Sequence, residues 1–375
     1  MTTPRTALVH DWLTGMRGGE RCLLALCELF PAADVYTLLH VPGAVAPEIE
    51  AHRIVTSSLG RLPGAARHYR SYLPLFPAAM RQLRPRGYDL VVSTSHAVAK
   101  AVRGGDGALH VCYCFTPMRY VWDRYDDYFG RGGGPLTALV MPPLAAALRR
   151  WDRRTAARPH RIVAISRYVA ERIRRAWGRE AEVIHPPVDA ARFRVEEGDD
   201  GYYLVVSALA PYKRVDLAVA AARRLGRRLL VVGTGPEERR LRALAGPGVE
   251  FLGFQDDATV ADLYARCRAL LFPPTEDFGI TPLEAMASGR PVIAFAEGGA
   301  LETVVPPGGP EAPTGLFFRR QTVEDLVDAM RRFEDAPDRF EPKALRARAE
   351  AFDRPVFRER MQAYLDGALR EHRGC

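Results

Sequence analysis

Short apolar runs alternate with amphipathic stretches through nearly all of this chain, and that alternation most constrains what it can fold into. Thr6–His10, Asp34–Leu39, Asp89–Ser93, Leu109–Cys114, Arg161–Ile165 and Ala181–His185 are rich in Val, Ile, Leu and Tyr and too short for helices. Between them lie segments with helical spacing, such as Glu20–Phe30 and Arg167–Trp177, the latter opened by Ser166 as N-cap. Strands that are apolar throughout and separated by helices belong to parallel sheets covered on both faces. The grammar restarts with Tyr202–Ser207, the helix Val215–Leu225, Arg228–Gly233, Val249–Leu252, Ala269–Phe272 and Pro291–Phe295. Everything past Thr322 reads as helix.

Pro186, Pro187 and the acidic stretch Glu196–Gly201 separate the two series and read as a hinge. The expected fold class is therefore α/β, with two doubly wound Rossmann-like domains. Residues 1–195 form the first, residues 196–353 the second, and a last helical segment, 354–375, is expected to cross back to the first. A length of 375 residues suffices for two cores, and 47% hydrophobic with 26% charged residues is ordinary for globular proteins. Facing domains of this kind bring their strand carboxyl ends around one central cleft, where a ligand is expected.

Composition removes several classes of function. Cys22, Cys27, Cys112, Cys114, Cys267 and Cys375 are scattered without metal or redox spacing and read as buried thiols. The formal net charge of +8 is carried by arginine, with lysine only at Lys100, Lys213 and Lys343. Six arginines fall between Arg149 and Arg161. They read either as a solvated surface or, with Tyr69–Met80, as a face for an anionic leaflet. No aromatic interleaving or known module points to nucleic acid. The first residues lack a signal-peptide pattern, and no run approaches about 18 apolar residues. The expected location is cytoplasmic, with peripheral contact on the inner face of the plasma membrane as a further expectation.

The chemistry concentrates at Glu276–Glu284. The strand-like Ala269–Phe272 ends at Pro273 and Pro274, and a short helix follows, stopped by Gly289. This spacing puts Glu276 at a strand's carboxyl end, able to bind sugar hydroxyls. The backbone N–H groups of Gly279, Ile280 and Thr281 open a helix, which favours anions. Glu284, one to two turns in, can reach a ribose. Between the first strand and helix of the second series, Lys213 and Arg214 supply cations for a diphosphate. In the first domain, Gly18 and Gly19 precede a helix and allow close backbone approach. Gly233 and Gly235 resemble the opening of a dinucleotide fingerprint, but its third glycine would fall at Glu238 and Pro236 removes a donor, so a tight turn is expected. Asp126–Asp127 and Asp256–Asp257 read as loop acids, and no metal site is expected.

Together the two glutamates at 276 and 284, the Pro211–Arg214 loop, the Gly18–Glu20 loop and the Gly233–Pro236 turn resemble the retaining glycosyltransferases of family 4. Tyr88–Lys100, Thr116–Asp123 and Ile184–Asp189 are similar to its bacterial mannosyltransferase-like branch, which builds O-antigen and exopolysaccharide. The resemblance covers nearly the whole chain and implies the GT-B fold. It also implies hexose transfer, most naturally mannose from GDP-mannose, to a polyprenyl-diphosphate-linked or other glycan acceptor, without metal or other cofactor. By the same resemblance Glu276 holds the donor sugar and, with Lys213 on the diphosphate, forms the catalytic pair. Phe278, Gly279, Ile280 and Thr281 contact sugar and phosphate, Glu284 binds the ribose, Gly18 and Gly19 lie beneath the phosphates, and Phe251–Phe254 lies near the base. His96, Phe115 and Arg119 fall on the acceptor side. Ala208 stands where relatives often carry arginine, and Phe115 where they often carry histidine; Arg214 and either His96 or His110 are the expected substitutes. The rival readings are a nucleotide-sugar epimerase on the same architecture and a non-catalytic sugar-nucleotide-binding scaffold. A nicotinamide dehydrogenase fits less well, given the broken glycine fingerprint.

Overall fold

A computed structural model describes residues 4–123, 125 and 135–374. The chain divides into two compact units, Met1–Pro187 with Phe357–Cys375, and Val188–Val356. The division falls at Pro187, before the residue 195 read from the sequence. Val188 already belongs to the second unit, where its N–H donates to the Phe352 carbonyl at 2.9 Å. Phe193 packs there too, its ring 5.8 Å from that of Tyr264.

The first unit holds a seven-stranded parallel sheet of β1 (Thr6–His10), β2 (Asp34–Thr37), β3 (Ile54–Thr56), β4 (Leu90–Ser95), β5 (Leu109–Cys114), β6 (Arg161–Ala164) and β7 (Glu182–Val183). Their spatial order is β3-β2-β1-β4-β5-β6-β7. Every residue of β1, β4 and β5 is buried, as strands covered by helices on both faces must be. The long helix Arg354–Gly374 closes on this unit: Phe357 lies 5.7 Å from the Tyr113 ring, and Arg161 pairs with Glu371 at 2.6 Å. Lys100 is buried beside Asp152, whose other oxygen accepts from the indoles of Trp122 at 2.9 Å and Trp177 at 2.6 Å. A buried ion pair is tolerable because its lone pairs are satisfied in this way.

The second unit holds a six-stranded parallel sheet of β8 (Tyr202–Val206), β9 (Arg228–Val232), β10 (Val249–Gly253), β11 (Ala269–Phe272), β12 (Val292–Phe295) and β13 (Gly315–Phe318). The spatial order is β10-β9-β8-β11-β12-β13. In both sheets the order reverses direction once, beside β1 and β4 in the first and beside β8 and β11 in the second. The crevice at such a switch point, beyond the strand carboxyl ends, is where open α/β sheets bind ligands.

β3 and β13 have no counterpart in the sequence reading. The first is three residues at the sheet edge, and the second is preceded by the Gly308–Pro313 loop, which masks a four-residue run. Cys22, Cys27, Cys112, Cys114 and Cys267 are free and buried. Cys375 lies outside the described residues. Among the described residues no helix is long and apolar enough to cross a membrane.

Candidate functional site

In the second unit the crevice beside β8 and β11 gathers most of the residues singled out above. β11 is wholly buried and ends at buried Pro273 and Pro274, so the chain leaves the sheet at a fixed point and presents Glu276 half-buried. The loop after β8 brings Lys213 to it: the ammonium Nζ donates to Glu276 Oε1, with the two side chains 21% and 13% exposed. Gly279 then takes φ +84°, a left-handed conformation that suits glycine, and opens the helix Ile280–Ala287. The first N–H groups of that helix have no intrahelical acceptor and carry the positive end of its dipole. Gly279, Ile280, Thr281 and Glu284 are half-buried, whereas Phe278, Pro282 and Leu283 are buried and anchor the turn. Glu284 accepts from the Tyr264 hydroxyl at 3.1 Å, which fixes its carboxylate near the same helix start.

Two glycine pairs hold this arrangement by close backbone approach, the first being Gly298, where a Cβ would stand 2.3 Å from the Glu276 carbonyl oxygen, and Gly299. Gly299 donates its N–H to the Glu276 carbonyl at 2.8 Å, and a Cβ on Gly299 would stand 2.2 Å from Phe278 Cα. Gly299→Ala must therefore push the Glu276–Phe278 loop away; overpacking of this kind costs about 1–3 kcal/mol. We expect the variant to fold with a lowered midpoint by thermal melting. The second pair is Gly233 and Gly235, where a Cβ would lie 2.0 Å from the Ser207 carbonyl oxygen and 2.4 Å from that of Leu209. These glycines bring the loops after β8 and β9 together, the tight turn expected from the sequence.

Among the described residues Arg214 alone takes a positive φ, +50°, without being glycine. Its guanidinium bonds Asp216 Oδ1 at 3.2 Å and Gln321 Oε1 at 3.0 Å, and Gln321 in turn donates to the Pro273 carbonyl at 2.8 Å. Arg214 thus ties the β8 loop to the β11 loop. Arg214, the expected substitute for the arginine missing at Ala208, keeps a side chain 32% exposed beside these contacts. At the end of β10, Phe254 is 81% exposed. Asp256 caps the helix Asp257–Arg266 by accepting from the Thr259 N–H at 2.7 Å, and Asp257 pairs with Arg192 at 2.7 Å. Asp126 and Asp127 lie outside the described residues.

In the first unit the crevice beside β1 and β4 is built around Asp11, which immediately follows β1 and is fully buried. Its two oxygens accept the N–H groups of His96, Ala97, Val98 and Ala99 at 2.7–2.9 Å, and His96 Nδ1 stands 3.1 Å from Oδ2. Burial opposes ionisation of Asp11, but the His96 ring and amide, with His10 and the Val98 amide, hold its carboxyl below the usual carboxylate range. Burial pushes the His96 ring below the usual imidazole range, against the pull of Asp11. A neutral His96 that donates from Nδ1 to Asp11 keeps Nε2 as an acceptor. Its ring packs edge-on against Trp12 at 4.3 Å and lies 6.3 Å from Phe115. His96, and at 6.4 Å His10, are therefore the histidines beside Phe115, and not His110. His110 turns to Ser93 at 2.8 Å, and burial, with His160 and Arg158 nearby, pulls its ring down to about 3.

Gly19 completes this group, since a Cβ there would come 3.3 Å from the Phe115 ring and 3.5 Å from His10 Cε1. Gly18 begins the helix Gly18–Leu29, and Glu20 on its first turn accepts from the Arg17 N–H at 3.1 Å. Arg119 opens the helix Arg119–Trp122 after β5, close enough for its charge to act on His96. The sequence reading brought no role for Asp11, although an acid directly after a buried strand and before a glycine loop is the signal that marks it. Of the basic segment, Arg153 donates to the Ala176 carbonyl at 3.0 Å, Arg149 to that of Val121 and Arg158 to that of Ala101. Those arginines fasten the unit's own helices and loops. In Tyr69–Met80 the side chains of Tyr69, Leu73, Phe76 and Met80 are core.

Comparison with known proteins matches both halves of the chain. Residues 188–352 match the family model "Glycosyl transferases group 1", and residues 16–192 match "Glycosyltransferase Family 4". Together they account for most of the chain, which belongs to this glycosyltransferase family. A Corynebacterium glutamicum GDP-mannose-dependent monoacylated alpha-(1-6)-phosphatidylinositol monomannoside mannosyltransferase is 34% identical over 47% of this chain and 53% of its own length. The O-antigen chain mannosyltransferase C of Escherichia coli is 28% identical over 46% of this chain and 47% of its own. The chain spans about half the length of the curated relatives it matches. Among solved structures, Anabaena HepE in complex with UDP and glucose superposes with TM-score 0.69 at 18% identity, covering 96% of this chain and 99% of that one. The fold is that of the GT-B glycosyltransferases.

Proposed function

We propose that the protein is a retaining, metal-independent glycosyltransferase that moves a hexose, mannose from GDP-mannose, to a hydroxyl of a lipid-linked glycan in cell-surface polysaccharide assembly. The observation that carries this reading is the Lys213–Glu276 pair at the β8/β11 switch, set beside an uncapped helix start. It joins a cation for a leaving diphosphate, a carboxylate for sugar hydroxyls and backbone donors for developing negative charge. The mannosyltransferase names of the Corynebacterium and Escherichia relatives support the choice of sugar and base.

In the proposed reaction the bond between the sugar's anomeric carbon and the diphosphate oxygen breaks while the acceptor oxygen bonds to the same face. The acceptor's proton passes to the departing diphosphate, so GDP leaves and the configuration is retained. Lys213 and the N–H groups of Gly279, Ile280 and Thr281 stabilise the diphosphate. Glu276 and Phe278 hold the sugar, Glu284 binds the ribose, and Gly18 and Gly19 give the donor a close backbone approach. His96, with Nε2 free to accept, Phe115 and Arg119 receive the acceptor. The reaction takes place in the cytoplasm against the inner face of the plasma membrane. Exposed Leu75, Leu139 and Val140 are the side chains suited to that contact.

A thermal-shift panel with GDP, UDP, GDP-mannose, UDP-glucose and NAD, with and without EDTA, tests the donor. Ligands that bind only the native state raise the midpoint by mass action. We expect an EDTA-insensitive rise with GDP and GDP-mannose. A rise that EDTA abolishes would contradict metal independence, and a rise with UDP compounds alone would replace the base. Binding without transfer to any acceptor would favour a non-catalytic sugar-nucleotide-binding protein.

A further inference from the structure

The first unit carries a second cavity that the transferase reading does not use. It lies at the opposite ends of the strands from Asp11 and His96, where the loop Arg103–Ala108 enters β5 and His160 enters β6. Its volume is about 280 Å³, and it is lined by Val102, Arg103, Gly104, Gly105, Ala108, His110, Arg158 and His160. That volume is just below the usual range of small-ligand pockets, about 300–1,000 Å³. No carboxylate lines it.

The charges around this cavity are uncompensated. Arg158 is half-buried and donates one N–H to the Ala101 carbonyl. Among the described residues neither Arg158, Arg103 nor the neighbouring Arg81 has a carboxylate partner. Burial, and then repulsion from Arg103 and Arg81, pulls the Arg158 guanidinium below its ordinary value. His160 adds a directed donor. Its Nδ1 accepts the His110 N–H at 2.9 Å, which places its own proton on Nε2. The His372 ring lies 4.8 Å from it. The Gly104 N–H has no acceptor among the described residues, so a backbone donor is available on the same wall. Two guanidiniums, an imidazole N–H and a backbone amide around a small cavity match the acceptor oxygens of a phosphate group, for which arginine forks are suited.

We propose that the Arg103–Arg158–His160 cavity is an anion site that takes a phosphate group, either free or as the head of a phosphomonoester or lipid, separately from donor binding. Its charge cluster is then completed by the ligand, as the Lys100–Asp152 pair is completed within the protein.

The test uses the full chain at pH 7.5 and constant ionic strength. Inorganic phosphate is titrated calorimetrically into wild type, Lys213→Ala, Arg103→Gln and Arg103→Glu. Sedimentation with phosphatidylcholine vesicles, with or without phosphatidylglycerol, gives the lipid arm. Arg103 is exposed, so its variants should fold, and circular dichroism checks this. We expect phosphate binding that Lys213→Ala leaves unchanged, that Arg103→Gln weakens several-fold and that Arg103→Glu weakens at least tenfold. Retention on phosphatidylglycerol vesicles alone, lost in Arg103→Glu, would also support the site and identify a lipid head as the source. Binding abolished by Lys213→Ala but indifferent to Arg103, or no binding in either arm, would overturn it. Because Lys213→Ala removes the proposed diphosphate contact, a failure here and a failure of the transferase reading are separable.

Discussion

Lys213→Ala and Glu276→Ala are each expected to lower kcat for glycosyl transfer by two to three orders of magnitude while leaving the fold in place. Removing one preorganised group that faces developing charge typically costs about 10²–10³ in rate, some 3–4 kcal/mol of barrier. Both side chains are partly solvated, so the surviving partner can rehydrate and the thermal midpoint should move little. The contact between them sharpens the prediction. If Lys213 and Glu276 act as one unit, the double variant should be scarcely slower than either single one, as expected for groups whose effects are not additive. Fully additive losses would mean that each acts on a different part of the donor. Steady-state kinetics on the four proteins, with circular dichroism as a fold control, decides between these outcomes. Near-normal turnover in both single variants would remove the pair from the site.

The second large effect is on stability. Asp11→Asn is expected to destabilise the first unit by about 3 kcal/mol or more, since a buried donor left unsatisfied costs roughly 1–3 kcal/mol. An asparagine offers one carbonyl oxygen where the carboxylate now offers two, and its NH₂ would face two of the four buried amides. With its NH₂ in the place of Oδ2, the asparagine leaves His96 Nδ1 nothing to donate to, so acceptor turnover should fall along with stability. The pH dependence follows from the depressed carboxyl of Asp11. A group whose folded value lies below its unfolded one, about 3.9 for aspartate, binds more protons when unfolded over the interval between them. Its stabilisation is therefore complete above the unfolded value and is lost as pH falls through the folded one. Urea unfolding of wild type and Asp11→Asn between pH 7 and pH 3 should show the difference between them shrinking toward the acid end. A constant difference would mean that Asp11 acts through packing alone.

The strands were legible wherever the chain is apolar on both faces, as in β1, β5 and β11, because a parallel sheet leaves no polar alternation to confuse the pattern. β3 and β13 escaped because a three-residue edge and a run behind a Gly- and Pro-rich loop offer too few residues for a period. Glu276 could be placed at a strand's end from Pro273 and Pro274 alone. The partner of its carboxylate could not, since Lys213 lies 63 positions away and the loops after β8 and β11 meet only once those two strands pair. Asp11 is the plainest case of this limit. Its acceptors are satisfied by amides 85 to 88 positions on, a relation that exists only once β1 and β4 pair. Arg214 is a similar case, because residue type marks a cation while its contact with Gln321 arises only when the loops are assembled.

The central claim is sugar transfer from a nucleotide donor, and the most direct test is to follow the label from radiolabelled GDP-mannose into a bacterial membrane-lipid extract. Purified protein, EDTA and the Glu276→Ala control complete the experiment. We expect lipid-soluble label that keeps the donor's anomeric configuration, with stoichiometric GDP, unaffected by EDTA and absent with the variant. Label that remains in intact GDP-mannose despite tight donor binding, or transfer undiminished by Glu276→Ala, would contradict it.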